Sequence, residues 1–146
     1  MIEGVILSPL TIVETTGGDV LHGIKSTEHG YAGFGEAYFS RVESGAIKGW
    51  KRHHSMVLNL IVPIGAIRFV IYDDRVGSLS MKKYQVVTLS ERDNYCRLTI
   101  PPMVWLGFQG ITNKNILLNI ANIEHSPDEI DRKDLEEIEF NWERKQ

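Results

Sequence analysis

Val57-Leu58-Asn59-Leu60-Ile61-Val62-Pro63-Ile64-Gly65-Ala66-Ile67-Arg68-Phe69-Val70-Ile71-Tyr72 is the stretch that decides the fold class. Two runs rich in β-branched and aromatic residues, 57–62 and 66–72, are parted by Pro63-Ile64-Gly65. Such runs suit a pleated, half-buried surface, and the Pro and Gly between them suit a turn. A membrane helix needs about 18 consecutive apolar residues. Asn59, Pro63 and Gly65 interrupt this segment well before that length, so it predicts a strand, a turn and a second strand.

The same texture extends in both directions. Strands are predicted at residues 5–7, 10–13, 37–42, 47–52, 84–89, 97–100, 104–109 and 116–120. Turn chemistry separates them, as in Gly17-Gly18-Asp19, Glu43-Ser44-Gly45, Asp73-Asp74-Arg75-Val76-Gly77 and Thr112-Asn113-Lys114-Asn115. A strand and turn every 8–12 residues or so is the rhythm of an antiparallel sandwich or barrel. No internal repeat interrupts it. The C-terminal stretch differs: Ser126-Pro127-Asp128-Glu129 reads as a cap with Pro at the first helical position. Ile130, Leu135, Ile138 and Trp142 follow at helical spacing, predicting one helix or two short turns packed on the barrel.

Composition narrows the class. The chain has 146 residues, 42% hydrophobic and 24% charged, with a net charge of −3. This suits one globular domain spanning residues 1–146, and the charge argues against a nucleic-acid partner. One cysteine, Cys96, excludes an internal disulfide and a cysteine-based zinc site. With an acidic start at Met1-Ile2-Glu3-Gly4 and no membrane segment, the expected location is cytoplasmic.

Polar chemistry concentrates in Lys48-Gly49-Trp50-Lys51-Arg52-His53-His54. Alternation on a strand sends Lys48, Trp50, Arg52 and His54 one way and Lys51 and His53 the other. Cations cannot be buried cheaply without anions, so one face meets either water, as a solvated edge, or an anionic ligand in a cavity. His53-His54 is a poor metal pair because adjacent strand residues diverge. Tyr31, Tyr38, Trp50 and Trp105 suit either a core or stacking on a ring. Asp73-Asp74-Arg75 reads as a turn closed by a local ion pair. His125 reads as either a surface or a catalytic histidine. Gly33-Phe34-Gly35 lacks the strand-to-helix context of a dinucleotide loop, and no acyl-transfer or P-loop motif is present.

Four blocks, in order, resemble one family. They are Gly33-Phe34-Gly35-Glu36-Ala37-Tyr38-Phe39-Ser40-Arg41, Gly45-Ala46-Ile47-Lys48-Gly49-Trp50, Gly65-Ala66-Ile67-Arg68-Phe69-Val70-Ile71-Tyr72-Asp73-Asp74-Arg75, and Ile100-Pro101-Pro102 with Gly107-Phe108. Over residues 17–142 the chain resembles the sugar-nucleotide epimerases typified by dTDP-4-dehydrorhamnose 3,5-epimerase. The resemblance implies an all-β, cupin-like jelly roll that forms a homodimer. It also implies a nucleoside-diphosphate sugar as ligand, usually dTDP-linked with a 4-keto-6-deoxy sugar, and a role in cell-surface polysaccharide or deoxysugar synthesis. Family chemistry uses no cofactor: a histidine backed by an aspartate takes a proton beside the ketone, a tyrosine returns one, and a cation steadies the enolate.

Carried onto this sequence, the resemblance makes Lys48 a cation for pyrophosphate or enolate. It brings Glu36 and Tyr38 to the nucleotide across a dimer, sets His22 near the pyrophosphate, and makes Asp134 the support for the base. Trp50 and Trp105 are added as stacking residues. Lys51 replaces the family histidine, Leu106 a second one, and His125 the expected tyrosine. The base is then Lys51 or His53, with His125 as acid. An ordinary lysine near pKa ~10.4 is a poor base at neutral pH, which favours His53. The alternative is a non-catalytic cupin that binds a nucleotide sugar or glycan, or partners an enzyme of the pathway.

Overall fold

The computed structural model describes residues 1–143. The strands are β1 (Ile6–Pro9), β2 (Ile12–Val13), β3 (Val20–Leu21), β4 (Glu36–Val42), β5 (Ile47–His53), β6 (Leu58–Ile64), β7 (Ala66–Tyr72), β8 (Tyr84–Ser90), β9 (Cys96–Ile100), β10 (Trp105–Gly110), β11 (Asn115–Ala121) and β12 (Ile130–Arg132). They form two antiparallel five-stranded sheets, ordered β1-β9-β6-β11-β4 and β12-β5-β10-β7-β8, beside a small β2-β3 ribbon. This is the antiparallel sandwich that the strand rhythm predicts, in the jelly-roll form that the resemblance implies. No helix among the described residues is long and apolar enough to cross a membrane.

The 57–72 stretch forms β6 and β7, and the turn between them crosses from one sheet to the other. Gly65 makes the corner at φ +81°, and a Cβ there would lie 2.0 Å from the Lys114 carbonyl oxygen. Asn115 locks the same corner, its Oδ1 accepting the backbone N–H of Ala66 at 3.0 Å and of Thr112 at 3.1 Å. Between the sheets lies the core, with Leu60, Val62, Ile67, Phe69, Ile71, Leu89, Leu98 and Leu117 buried. The Asp73-Asp74-Arg75 turn closes on itself as expected: buried Asp73 pairs with Arg75 at 2.8 Å.

The C-terminal segment resolves to the second of its two readings. Two single 3-10 turns, Pro127–Glu129 and Leu135–Glu137, flank β12. Pairing explains why no longer helix forms. Ile130 to Arg132 satisfy the open edge of β5, in register with His53 to Lys51. Beyond them, Leu135, Ile138 and Trp142 cover the outer face of the second sheet, where Trp50, Val70 and Trp105 form a separate buried cluster. Sequence patterning misses β3 and β12, the two- and three-residue strands.

Candidate functional site

Strand β5 positions the site, and a bulge sets which residues it presents. Lys51 lies opposite Leu106, while Lys48 lies opposite Phe108. Three steps on β5 therefore match two on β10, so one residue is extra and the alternation is interrupted. Lys48 thereby joins Lys51 and His53 on the inner face, which corrects the strict alternation expected from sequence. Gly49 sits within the bulge, where a Cβ would meet Leu135 Cδ2 at 2.7 Å.

These side chains line a cavity of about 120 Å³ between the two sheets. Leu58, Leu60, Leu106, Phe108 and Leu117 supply its apolar part. Tyr38, Ser40, Lys48, Lys51, His53 and Asn119 supply its polar part. Burial is the leading reason the His53 imidazole is held below its ordinary pKa of 6.5; Glu129 opposes the shift, and Lys51, His125 and His54 add to it. A histidine in that condition is neutral near pH 7 and available as a base. Its Nδ1 is buried without a hydrogen-bond partner. Burial also lowers Lys51, reinforced by Arg132 and Lys48. Desolvation pushes the Glu129 carboxyl upward, but the backbone N–H groups of Ser55 at 2.6 Å and Met56 at 2.7 Å outweigh it and hold the group low.

The structure brings Tyr38, Lys48, Lys51 and His53 together. Glu36 and His125 meet each other, the His125 backbone N–H donating to Glu36 Oε1 at 3.1 Å, and the His125 side chain is exposed. Three expectations are corrected. Asp134 does not back His53: it lies beside Gly49, Arg132 and Lys133, and its N–H donates to Glu137 Oε2 at 2.6 Å at the start of the last 3-10 turn. Trp50, 0% exposed, packs on the outer face with its ring 5.5 Å from that of Trp142. Trp105 is on that outer face too, donating from Nε1 to Asp74 Oδ2 at 2.8 Å. His22 is outside the cavity lining; its carbonyl accepts the Tyr95 hydroxyl at 2.8 Å and its N–H donates to Thr11.

Sequence reasoning missed Asn119. It is 4% exposed, its Nδ2 donates to Tyr38 Oη at 2.8 Å, and its Oδ1 is buried without a partner. The signal was an amide inside the apolar run 116–120, since a polar side chain at an inward strand position must find a partner or serve a ligand. Glu129 was read only as part of a helix cap, because its approach to His53 depends on how the last segment folds back.

No family model matches the chain. It is 37% identical to the dTDP sugar isomerase of Desulfovibrio desulfuricans G20, covering 99% of this chain and 94% of that one with a TM-score of 0.94. It is 28% identical over 147 residues to the spore coat polysaccharide biosynthesis protein SpsL of Bacillus subtilis (strain 168), covering 97% of each. The fold is shared with dTDP-4-dehydrorhamnose 3,5-epimerase from Bacillus anthracis str. Ames, at 21% identity, TM-score 0.78 and coverage of 88% and 78%. The four ordered blocks, the jelly roll and near-complete overlap with the Desulfovibrio isomerase converge: the chain belongs to the family of dTDP sugar isomerases and shares its fold with the 3,5-epimerases.

Proposed function

We propose that this protein is a cofactor-free isomerase or epimerase of a keto-sugar linked to a nucleoside diphosphate, with His53 as its base. The observation that carries this reading is a neutral, half-buried histidine beside two lysines in a cavity with an apolar floor. A ketone acidifies the C–H bonds next to it. A neutral imidazole keeps one ring nitrogen unprotonated; that of His53 takes the proton, the C–H electrons move toward the ketone oxygen, and an enolate forms. Lys48 or Lys51 steadies its charge, the electrostatic contribution that a preorganised cation makes best where water is scarce.

Size and polarity support the substrate class. At about 120 Å³ the cavity is far below the roughly 300–1,000 Å³ of pockets that enclose drug-sized ligands. It suits a sugar ring, with the nucleoside diphosphate along the open rim near exposed Lys48 and Lys51. The leucines suit the methyl of a 6-deoxy sugar. A dTDP carrier is supported by the Desulfovibrio isomerase, and a role in polysaccharide synthesis by the spore coat protein. A homodimer belongs to this reading, supported by edge strand β4, where Phe39 is 70% exposed. A cytoplasmic location belongs to it as well, in keeping with the lone thiol.

Proton NMR of dTDP-4-keto-6-deoxyglucose with the protein in D₂O tests the reading. The expected result is protein-dependent loss of the signal from a proton beside the ketone. Intact signals together with broadened thymidine resonances would replace it with the binding-only alternative. Sedimentation as a monomer at micromolar concentration would remove the homodimer.

A further inference from the structure

Resting on that reading, we infer that Lys51 bonds covalently to the keto-sugar: its amine condenses with the ketone to an iminium, and His53 takes the proton beside that iminium. A lysine serves as such a nucleophile where it is partly stripped of water, close to other cations and not neutralised by a carboxylate. The inner face of β5 meets all three conditions.

Lys51 lies on the cavity wall two residues from His53 and opposite Leu106 of β10. Lys48 shares that wall through the bulge, and Arg132 of β12 is the direct partner of Lys51 in the β5–β12 register, so both cations lie on its face. Among the described residues the ion-paired carboxylates go to Arg52, His54, Arg75 and Arg97, and none reaches Lys51. Lys51 is thereby left among like charges and leucines. Burial, Arg132 and Lys48 together draw its pKa down, so more of it is uncharged amine than of a lysine in water.

Position favours Lys51 over Lys48. Lys51 stands next to His53 on the inner face, whereas the bulge lies between Lys48 and His53. An amine bonded to the ring needs the base close beside it, because the proton to be removed is on the adjacent carbon. The bond also deepens the role of the cation. A lysine acting through space steadies an enolate from outside, but an iminium puts the positive charge on the atom that receives the electrons.

The step balances. Lys51 Nζ adds to the carbonyl carbon as the C=O π pair moves to oxygen, and a proton passes from nitrogen to that oxygen. The hydroxyl takes a solvent proton and leaves as water while the nitrogen lone pair closes the iminium. His53 then breaks the C–H bond and becomes imidazolium; the C–H pair forms a C=C bond and the C=N pair returns to nitrogen as an enamine. Return of a proton to carbon restores the iminium, and water releases ketone, amine and the borrowed proton. One water leaves and one returns, and no oxidant or reductant is needed.

The test adds cyanoborohydride, which reduces an iminium much faster than a ketone near neutral pH, to the protein with dTDP-4-keto-6-deoxyglucose. The expected result is a stable secondary amine on Lys51, located by peptide mass mapping and absent when excess dTDP fills the site. Lys51→Arg keeps the positive charge but cannot form the bond, so no adduct appears and deuterium exchange beside the ketone falls by about 10²-fold. His53→Ala still gives the adduct while exchange is lost, which separates the bond from the proton transfer. Wild-type protein that exchanges the proton yet yields no adduct on Lys51 would overturn the inference and leave the proposed function standing. Exchange at the wild-type rate in Lys51→Arg would do the same. Wild-type protein that neither exchanges nor is trapped would overturn the proposed function, and this inference with it.

Discussion

The outward and inward faces of β5 are made by neighbouring residues and have opposite characters. Outward, Arg52 Nε and one Nη hold Asp131 at 2.9 and 2.7 Å, and its other Nη holds Asp74 at 3.1 Å. Its guanidinium stacks 4.6 Å from the Trp105 ring, and His54 reaches Asp131 at 2.8 Å. Arg52 is thus held between two carboxylates, one of them on β12, so that face fastens the C-terminal segment to the sheet. Inward, Lys48, Lys51 and His53 face apolar residues, and His53 Nδ1 and Asn119 Oδ1 find no partner. Trp142 Nε1 on the outer face is also unpartnered, so one orphaned atom does not define a site. What distinguishes the inner face is unsatisfied polarity combined with uncompensated positive charge and an open cavity.

That contrast can be broken most forcefully on the outer face. Trp50→Ala removes a fully buried ring from beneath Trp142 and costs about 3–5 kcal/mol. Urea denaturation measures it, and thermal melting should show a fall of roughly 2–4 °C per kcal/mol. Activity per folded molecule should stay near wild type, since Trp50 does not line the cavity. Unchanged stability would show that the tryptophan cluster holds little.

A second effect comes from the inner face. Lys51→Met removes a cation from the enolate and should slow turnover by about 10²-fold, as loss of a preorganised donor does. Melting temperature should hardly move, because Lys51, though partly covered, still reaches solvent. The same substitution removes a charge that helps hold His53 low, so the acid limb of the pH–rate profile should shift upward.

The smallest effect sharpens the role of burial. A buried His53 titrates below 6.5, so turnover rises with pH through a limb lying below that value and is level above it. Stability follows the same direction. Between the folded pKa and 6.5 the unfolded chain binds more protons, so the His53 contribution is lost as pH falls through that window. An acid limb above 6.5 would mean that His53 is not desolvated during turnover.

Local chemistry made the architecture legible. Residues 57–72 carry strand propensity and a Pro-Gly turn in one stretch, and they became β6, β7 and the corner between the sheets. Strands too short to show a pattern, such as β3 and β12, were not legible, because pairing rather than propensity makes them. The site was legible in part. His53 and Lys51, two apart, shared a face as alternation requires, but Lys48 joined them through a bulge that no period-two reading contains. Trp50, Trp105 and Asp134 were misplaced for a related reason. Their surroundings are set by where the C-terminal segment folds, and that segment covers the outside of the sheet. Asn119 was visible as an amide in an apolar strand, but its partner Tyr38 lies 81 positions away and only sheet pairing reveals it.

The most direct test of the account is His53→Ala, followed for deuterium exchange beside the ketone and for melting temperature in the same preparation. The account predicts exchange lowered by about 10²–10⁴-fold, as for a lost general base, with a melting temperature near that of wild type. Exchange continuing at the wild-type rate in a folded His53→Ala protein would contradict it, and the inner face of β5 would then bind the sugar without taking its proton.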